Sequence, residues 1–293
     1  MGWGEVFALT SALIWALAVV LMRRAGETLP AFELNLFKNC LGMLLLIPTI
    51  LIFADLSLPG FTRSEFIIVF VSGMIGIALA DTWYLQALNL MGAGRTGIVA
   101  SLFSPFVILL STVFLGERMT VWQWFGFFLV ISGVLLVTWR VNRRKIETRD
   151  ITKGAILGVS AIFMMALGIV MVKEILETRP FLWTVELRLA GGVAGLLVFM
   201  LAQGRWQSVK ETFRKPHPWG TVITASFLAS YLSLIIWMAG YKLIDASVAS
   251  ILNETNGVFI LFFAWLMLGE QMSSRKIAGI SLTIGGVLIM FLI

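Results

Sequence analysis

The sequence predicts an all-α polytopic membrane protein, with ten transmembrane helices arranged as two inverted five-helix repeats. Three observations carry that reading. Of 293 residues, 59% are hydrophobic and only 13% charged, against roughly a quarter charged in a soluble domain. A hydrocarbon core about 30 Å thick takes about 20 apolar residues per helix, so ten spans use about 200 residues and leave about 90 for connections. The chain also repeats itself at shifts of 150 and 153 residues.

Apolar runs between charge, Gly and Pro clusters set the elements in order. The first helix, 4–22, carries no charge between Glu5 and Arg23. The second, 31–54, starts behind Pro30 and carries Lys38 and Cys40. The third, 66–88, holds Ala80-Asp81-Thr82-Trp83-Tyr84, and the fourth, 94–115, ends at Gly116-Glu117. Thr120 and Gln123 match a capping box at the head of the fifth, 121–139. A basic stretch from Arg140 to Ile151 divides the chain. The sixth helix, 152–173, precedes a seventh, 181–203, that follows Pro180. Gly204 to Pro218 reads as a loop, and the eighth, ninth and tenth helices run 218–242, 246–268 and 274–293. The organisation is therefore a first repeat at 1–140, a basic linker at 141–151 and a second repeat at 152–293.

This composition excludes a soluble enzyme, a nucleic-acid module and a disulfide scaffold, Cys40 being the sole cysteine. No cleavable signal peptide is expected, because the start of the chain has no basic n-region or small-residue cleavage site. His217 has no cysteine or carboxylate at ligand spacing, so no metal is expected. The glycine patterns contain no phosphate loop of the GxxxxGK[ST] type, so neither ATP nor another cofactor is expected.

The internal repeat is the strongest signal. A shift of 153 lays Gly116-Glu117-Arg118-Met119 on Gly269-Glu270-Gln271-Met272, and Gly126 and Gly133 on Gly279 and Gly286. A shift of 150 lays Ala16-Leu17 on Ala166-Leu167, Pro30 on Pro180, and Lys38 on Arg188. Five helices per half is an odd number, so the second copy enters the bilayer from the opposite face, an arrangement that lets two halves rock about a midplane site. Fifteen Lys and Arg fall in the odd-numbered loops and five in the even-numbered ones. The positive-inside rule then places both termini outside.

These features resemble the EamA family of the drug/metabolite transporter superfamily over nearly the whole chain. The resemblance rests on Leu13-Ile14-Trp15-Ala16, on the membrane-embedded base Lys38 behind Pro30 and its echo Arg188, and on the doubled Leu-Gly-Glu turns at 115–117 and 268–270, each followed by a Gly-rich helix. It implies a ten-helix inner-membrane carrier exporting amino acids, other small metabolites or drugs, with a cavity between the halves. The chain departs from the family at Asn256-Gly257-Val258, where a proline is common, and at Lys38, where arginine is commoner.

Lys38, Asp81, Glu186, Arg188 and Glu254 are ionisable and lie inside predicted spans. A charge near the bilayer centre costs about 2.5–3.5 kcal/mol on insertion scales, so each must face a cavity or a partner. Asp81, with Tyr84 one turn on, suits either proton or substrate contact, or permanent pairing with Lys38 or Arg188. Lys38 and Arg188 would hold a carboxylate or phosphate, or act as pseudo-symmetric braces, the role their duplication favours. Glu186 points to another face and suits interhelical pairing. Asn253, Glu254 and Asn256 form an unusually polar turn in helix 9 and suit cavity lining over interhelical hydrogen bonding. Of the aromatics within spans, Trp15, Trp83 and Tyr84 join the site through the resemblance or through Asp81; Tyr231 and Trp237 are left outside it. Glu117 and Glu270 end helices in both repeats and read as structural. Gly191 with Gly195, and Gly42 with Gly192, predict close helix packing.

The expected function is secondary transport by alternating access, with export of small amino-acid-like or amphipathic metabolites and proton coupling through Asp81 or Glu254. The site would lie among helices 1–4 and 6–9, with helices 5 and 10 peripheral. The alternative is a lipid-carrier flippase or flippase subunit, and behind it an intramembrane enzyme using the same carboxylates. The expected partners are a small-molecule substrate and the lipid bilayer, with no nucleic acid, for a monomer or homodimer in a bacterial or archaeal inner membrane. The orientation is tested by single cysteines placed in 141–151 on a Cys40-free background. An impermeant maleimide should leave them unlabelled in intact cells, and labelling from outside would reverse the assignment.

Overall fold

The computed structural model describes residues 2–54, 60–115, 120–138, 148–244 and 246–292. Gly116–Met119, the linker residues 141–147 and the Gln123 side chain, all part of the sequence expectations, lie outside the described residues. The first half comprises α1 (Trp3–Ala25), α2 (Ala31–Phe53), α3 (Arg63–Gly73), α4 (Ala80–Met91), α5 (Ala93–Ala100), α6 (Phe103–Leu115) and α7 (Val121–Thr138). The second comprises α8 (Thr148–Thr178), α9 (Phe181–Ala202), α10 (Trp206–Arg214), α11 (Trp219–Phe227), α12 (Leu234–Leu243), α13 (Ala246–Asn253), α14 (Thr255–Leu268) and α15 (Ser274–Leu292). Among the described residues all regular structure is helical, and seven helical segments are long and apolar enough to cross a membrane. Leu51, Ile52, Phe53, Val113, Phe114 and Leu266 stand exposed on the outside of the bundle, as lipid-facing side chains do.

Several elements differ from the sequence reading. α3 and α4 form one rod, Arg63–Met91, through a π-helical stretch at Met74–Leu79; α11 and α12 form another, Trp219–Leu243, through a π-helical stretch at Leu228–Ser233. The two stretches match under the 153 shift, within a residue. π-helical turns inside α-helices concentrate at functional sites. The fourth and ninth helices are each broken, at Ser101-Leu102 and at Glu254, and Ser101 and Glu254 are again 153 apart. Pro105 explains the first break, since its ring clashes with the carbonyl four residues back, that of Ser101. No proline stands at the matching Val258. There the side chains compete with the helix for its own carbonyls, Thr255 donating to Leu252 O at 2.7 Å and Asn253 to Ala249 O at 2.9 Å. The stretch read as a loop before Pro218 contains α10, held to α2 by Arg205, which pairs with the buried Glu33 at 3.0 Å and lies over the Phe32 ring.

The halves interlock. α1 packs against α11 to α14 of the second half, while α8, its counterpart, packs against α3 to α6 of the first. The buried face of α1 carries Ala8, Ala12 and Ala16 at four-residue spacing, small enough to let the partner backbones approach. α7 and α15 pack chiefly on each other at the periphery. A Cβ on Gly133 would stand 2.7 Å from Gly279 O, and one on Gly286 would stand 2.6 Å from Gly126 O. Glycine is required at both crossings. The turn after α14 is tied down by Glu270, which accepts from Ala93 N at 2.8 Å, Gly94 N at 3.2 Å and Lys276 Nζ at 2.7 Å.

Overpacking a tight contact costs about 1–3 kcal/mol. Gly286→Val should therefore lower the thermal midpoint of the purified protein, measured by tryptophan fluorescence in detergent. Gly220→Val, where nothing lies within 4 Å of the added carbon, should leave it unchanged. Equal shifts would refute the assigned crossing.

Candidate functional site

The two π-helical stretches and the two helix breaks converge on one internal cavity of about 140 Å³, room for several waters rather than one. Eight of the nine residues singled out in the sequence line it: Trp15, Lys38, Asp81, Tyr84, Arg188, Asn253, Glu254 and Asn256. Trp83 is not among the lining residues; it packs, half-buried, against the apolar cluster around α1 and α4. Glu186 also lies elsewhere, with Oε2 buried and no hydrogen-bond partner, and among the described residues it forms no ion pair.

Lys38 projects from α2 and forms an ion pair with Asp81 of α4. Its side chain is 3% exposed, while that of its carboxylate partner, at 14%, is half-buried. A polar chain continues from the pair. Lys38 Nζ lies 3.5 Å from both Asn39 Oδ1 and Ser230 Oγ, and Ser230 Oγ donates to Asn39 Oδ1 at 3.2 Å. Asn39 Nδ2 donates to Asn35 Oδ1 at 2.7 Å, and Asn35 Nδ2 donates to Ile77 O at 2.8 Å and Thr82 Oγ1 at 2.9 Å. Ile77 lies in the first π-helical stretch and Ser230 in the second, so the chain runs from one to the other.

Arg188 of α9 is 4% exposed, with its Cζ 6.0 Å from the centre of the Trp237 ring. Its Nε and Nη1 are buried without a hydrogen-bond partner. Glu254, at the break between α13 and α14, accepts from Ser104 N at 3.1 Å and Ser104 Oγ at 2.9 Å. It thereby caps α6, the segment that begins after the other break. Its second oxygen, Oε2, and Asn256 Oδ1 are buried and unpartnered. Asn253 Oδ1 accepts from Ser11 Oγ at 3.2 Å, joining α13 to α1. The aromatic wall consists of Trp15 with Tyr84, ring centres 6.0 Å apart, and Phe103 with Trp237, 6.2 Å apart.

Sequence reasoning missed Asn39, Ser230, Ser233, Phe103 and Trp237. The repeat would have found Trp237 and Phe103, which stand 153 positions from Tyr84 and Asn256. Asn39 and the two serines carried no such signal. The π-helical turns that swing the serines into the cavity have no single-residue signature.

Removing one member of a buried ion pair costs about 3–5 kcal/mol because the other charge is left uncompensated, whereas an apolar replacement of both is often neutral. Asp81→Asn should therefore lower the thermal midpoint markedly, and Lys38→Met with Asp81→Asn should recover most of the loss. Additive losses in the double variant would show that the two side chains are not a pair.

Comparison with known proteins follows the same division of the chain. The EamA-like transporter family matches residues 2–139 and again 152–292. The pseudopaline exporter CntI of Pseudomonas aeruginosa is 25% identical over 280 residues, 94% of this chain and 91% of that protein. An uncharacterized transporter of Archaeoglobus fulgidus is 21% identical over 289 residues, 98% and 97% of the two chains. A crystal structure sharing 17% of its sequence superposes with a TM-score of 0.69 over 99% of this chain and 96% of its own, a likeness of fold alone. Apolar spanning helices and a match covering both halves lead to one conclusion: this multi-pass cell-membrane protein belongs to the EamA-like transporter family.

Proposed function

We propose that the chain is a secondary active transporter that exports small amphipathic or amino-acid-like metabolites by alternating access. In this reading it has ten spans in two inverted five-helix repeats, at 1–140 and 152–293, with both termini outside. The carrying observation is the make-up of the cavity wall. Under the repeat shifts Trp15 pairs with Met165, Lys38 with Arg188, Asp81 with Leu234, Tyr84 with Trp237 and Phe103 with Asn256, and both members of every pair line the cavity. Two halves that contribute equivalent positions to one site can rock about it and expose it to either side. The pairwise family match and the reciprocal glycine crossings of α7 and α15 support the same arrangement. Likeness to the pseudopaline exporter of Pseudomonas aeruginosa supports export.

Asp81 is the proposed proton-coupling group. It is half-buried beside Lys38, and opening the pair on protonation would release the polar chain that joins the two π-helical stretches. The ionisable groups that line the cavity with it are Lys38, Arg188, Glu254 and, one turn along its own helix, Tyr84.

The test is efflux from proteoliposomes loaded with a mixed metabolite extract, with and without a pH gradient. Wild type should release a selective subset, faster with an inward proton gradient. The Lys38→Met, Asp81→Asn double variant should retain release but lose the gradient response. A wild-type response in that variant would remove Asp81 from coupling. Absence of release under any gradient would overturn the exporter reading in favour of lipid-carrier flipping, which a fluorescent-lipid flip assay on the same vesicles would detect.

A further inference from the structure

The connection between α9 and α11 folds into a helix, α10, whose inner side the fold explains and whose outer side it does not. Arg205, Val209 and Phe213 recur at four-residue spacing and form one row along it. That row faces the bundle. Arg205 pairs with Glu33 and lies over the Phe32 ring, Val209 is buried, and Phe213 packs on Phe37 and Trp219, with ring centres 6.2 and 6.3 Å apart. Beyond the end of α10, His217 Nε2 lies 2.7 Å from Thr212 O, and the His217 ring meets Trp219 edge-on. α10 is therefore held at both ends rather than strung as a loose connection.

The adjacent row, Trp206, Lys210 and Arg214, also recurs every four residues and has no such role in packing. All three side chains are exposed, as is Lys215 at the helix end. Among the described residues no ion pair engages Lys210, Arg214 or Lys215. One exposed carboxylate on α10, Glu211, accompanies these three cations, which leaves a net charge of +2 by three minus one. The flanks set the depth of this surface. Val198, Phe199 and Leu201 of α9 are exposed apolar surface just before α10, and Ile223 of α11 is exposed just after it. α10 thus sits where the lipid-facing surface of both helices ends, at the level of the headgroups. Exposed tryptophan belongs to that level, and long cationic side chains at such an edge carry their charge out to it.

We infer that α10 is a docking surface for anionic phospholipid headgroups, with Trp206 seated among them and Lys210, Arg214 and Lys215 against their phosphodiesters. A short helix with an aromatic residue and unpaired basic residues at the bilayer edge is the chemistry that an anionic lipid surface attracts. A protein partner would need an apolar face to bury, and the apolar row of α10 is already covered by the bundle. The exposed row consists instead of one amphipathic ring and two cations. None of these residues lines the central cavity, so the inference rests on the cell-membrane location of the chain and not on what the cavity carries.

The test uses the full chain in phosphatidylcholine vesicles, with the fluorophore NBD on a single cysteine, Gln207→Cys, in a Cys40→Ala background. Nitroxide-bearing phosphatidylglycerol and nitroxide-bearing phosphatidylcholine are titrated as quenchers, and their relative binding constant beside α10 is read from the two curves. Phosphatidylglycerol should be favoured at least about fivefold at low salt, the scale of one basic residue beside an anionic surface. The preference should fall towards one at about 0.5 M salt, where exposed charges are screened. Adding Lys210→Gln, Arg214→Gln and Lys215→Gln should abolish it while leaving quenching by phosphatidylcholine and the thermal midpoint unchanged, which shows that α10 is still folded at the bilayer. NBD at Leu44→Cys, on the exposed side of α2, should show no preference in either chain. Equal quenching by the two lipids at Gln207→Cys, or a preference that survives the triple variant, would overturn the docking surface. Quenching by neither lipid would overturn it as well, by placing α10 clear of the bilayer and leaving its cations to an acidic protein partner.

Discussion

Backbone broken inside a membrane must find hydrogen-bond partners within the protein, and the contact that meets this demand is Glu254 on Ser104. Water is absent from the hydrocarbon core, so an unsatisfied N–H there costs several kcal/mol. Pro105 forces the fourth helix to stop at Ser101, which frees the amides at the start of α6. The carboxylate that accepts from one of them stands at the break of the ninth helix. A negative group at a helix N-terminus is also favoured by the helix dipole. The second break thus helps to stabilise the first. The same side chain also lines the cavity, so a group required by the fold belongs to the cavity wall.

Lys38 and Asp81 answer a related problem differently. A lone ammonium at this depth would be costly, and the pair neutralises it locally while the serine and asparagine chain saturates the remaining donors. That chain ends on Ile77 O in one π-helical stretch and passes through Ser230 in the other. Glycines meet the same two places from the opposite half. A Cβ on Gly42 would strike the Ser230 backbone, and one on Gly192 would strike the Ile77 side chain. Gly42 and Gly192 lie one turn beyond Lys38 and Arg188. Each membrane-embedded cation is therefore followed, one turn on along its own helix, by a glycine at a close helix contact.

Much of this was legible without coordinates, and the reason differs by feature. Spans follow from apolar run length, which the bilayer enforces, so most helix positions were read within a few residues. Lys38, Asp81, Arg188 and Glu254 were legible because ionisable residues are rare in such runs and must have a reason to be there. The breaks do not show in the apolar pattern, although Pro105 is a signal for one; at Glu254 the polar turn is visible in the sequence, but its cost to the helix is not. The π-helical turns stayed hidden because no residue type demands them. They rotate the later part of each rod, bringing Ser230 inward. Trp83 shows the converse error. Its neighbours Asp81 and Tyr84 face the cavity, but adjacent helical residues point about 100° apart, and Trp83 packs instead against the apolar cluster.

The distribution of charge is the feature that repeat symmetry alone would not produce. Had both halves kept the arrangement of the first, each cation would be closed by a carboxylate on the facing rod, and the cavity would hold two spent pairs. Replacing that carboxylate by Leu234 and placing Glu254 at the break leaves the net charge unchanged while opening the second pair. Neutrality matters in a medium that penalises isolated charge, and an opened but balanced pair satisfies it whether or not a ligand is present. The architecture thereby separates two tasks that a symmetric dimer of repeats would confuse. The closed pair ties the two π-helical stretches together, while Arg188 and Glu254 line the same cavity without an ion pair between them among the described residues.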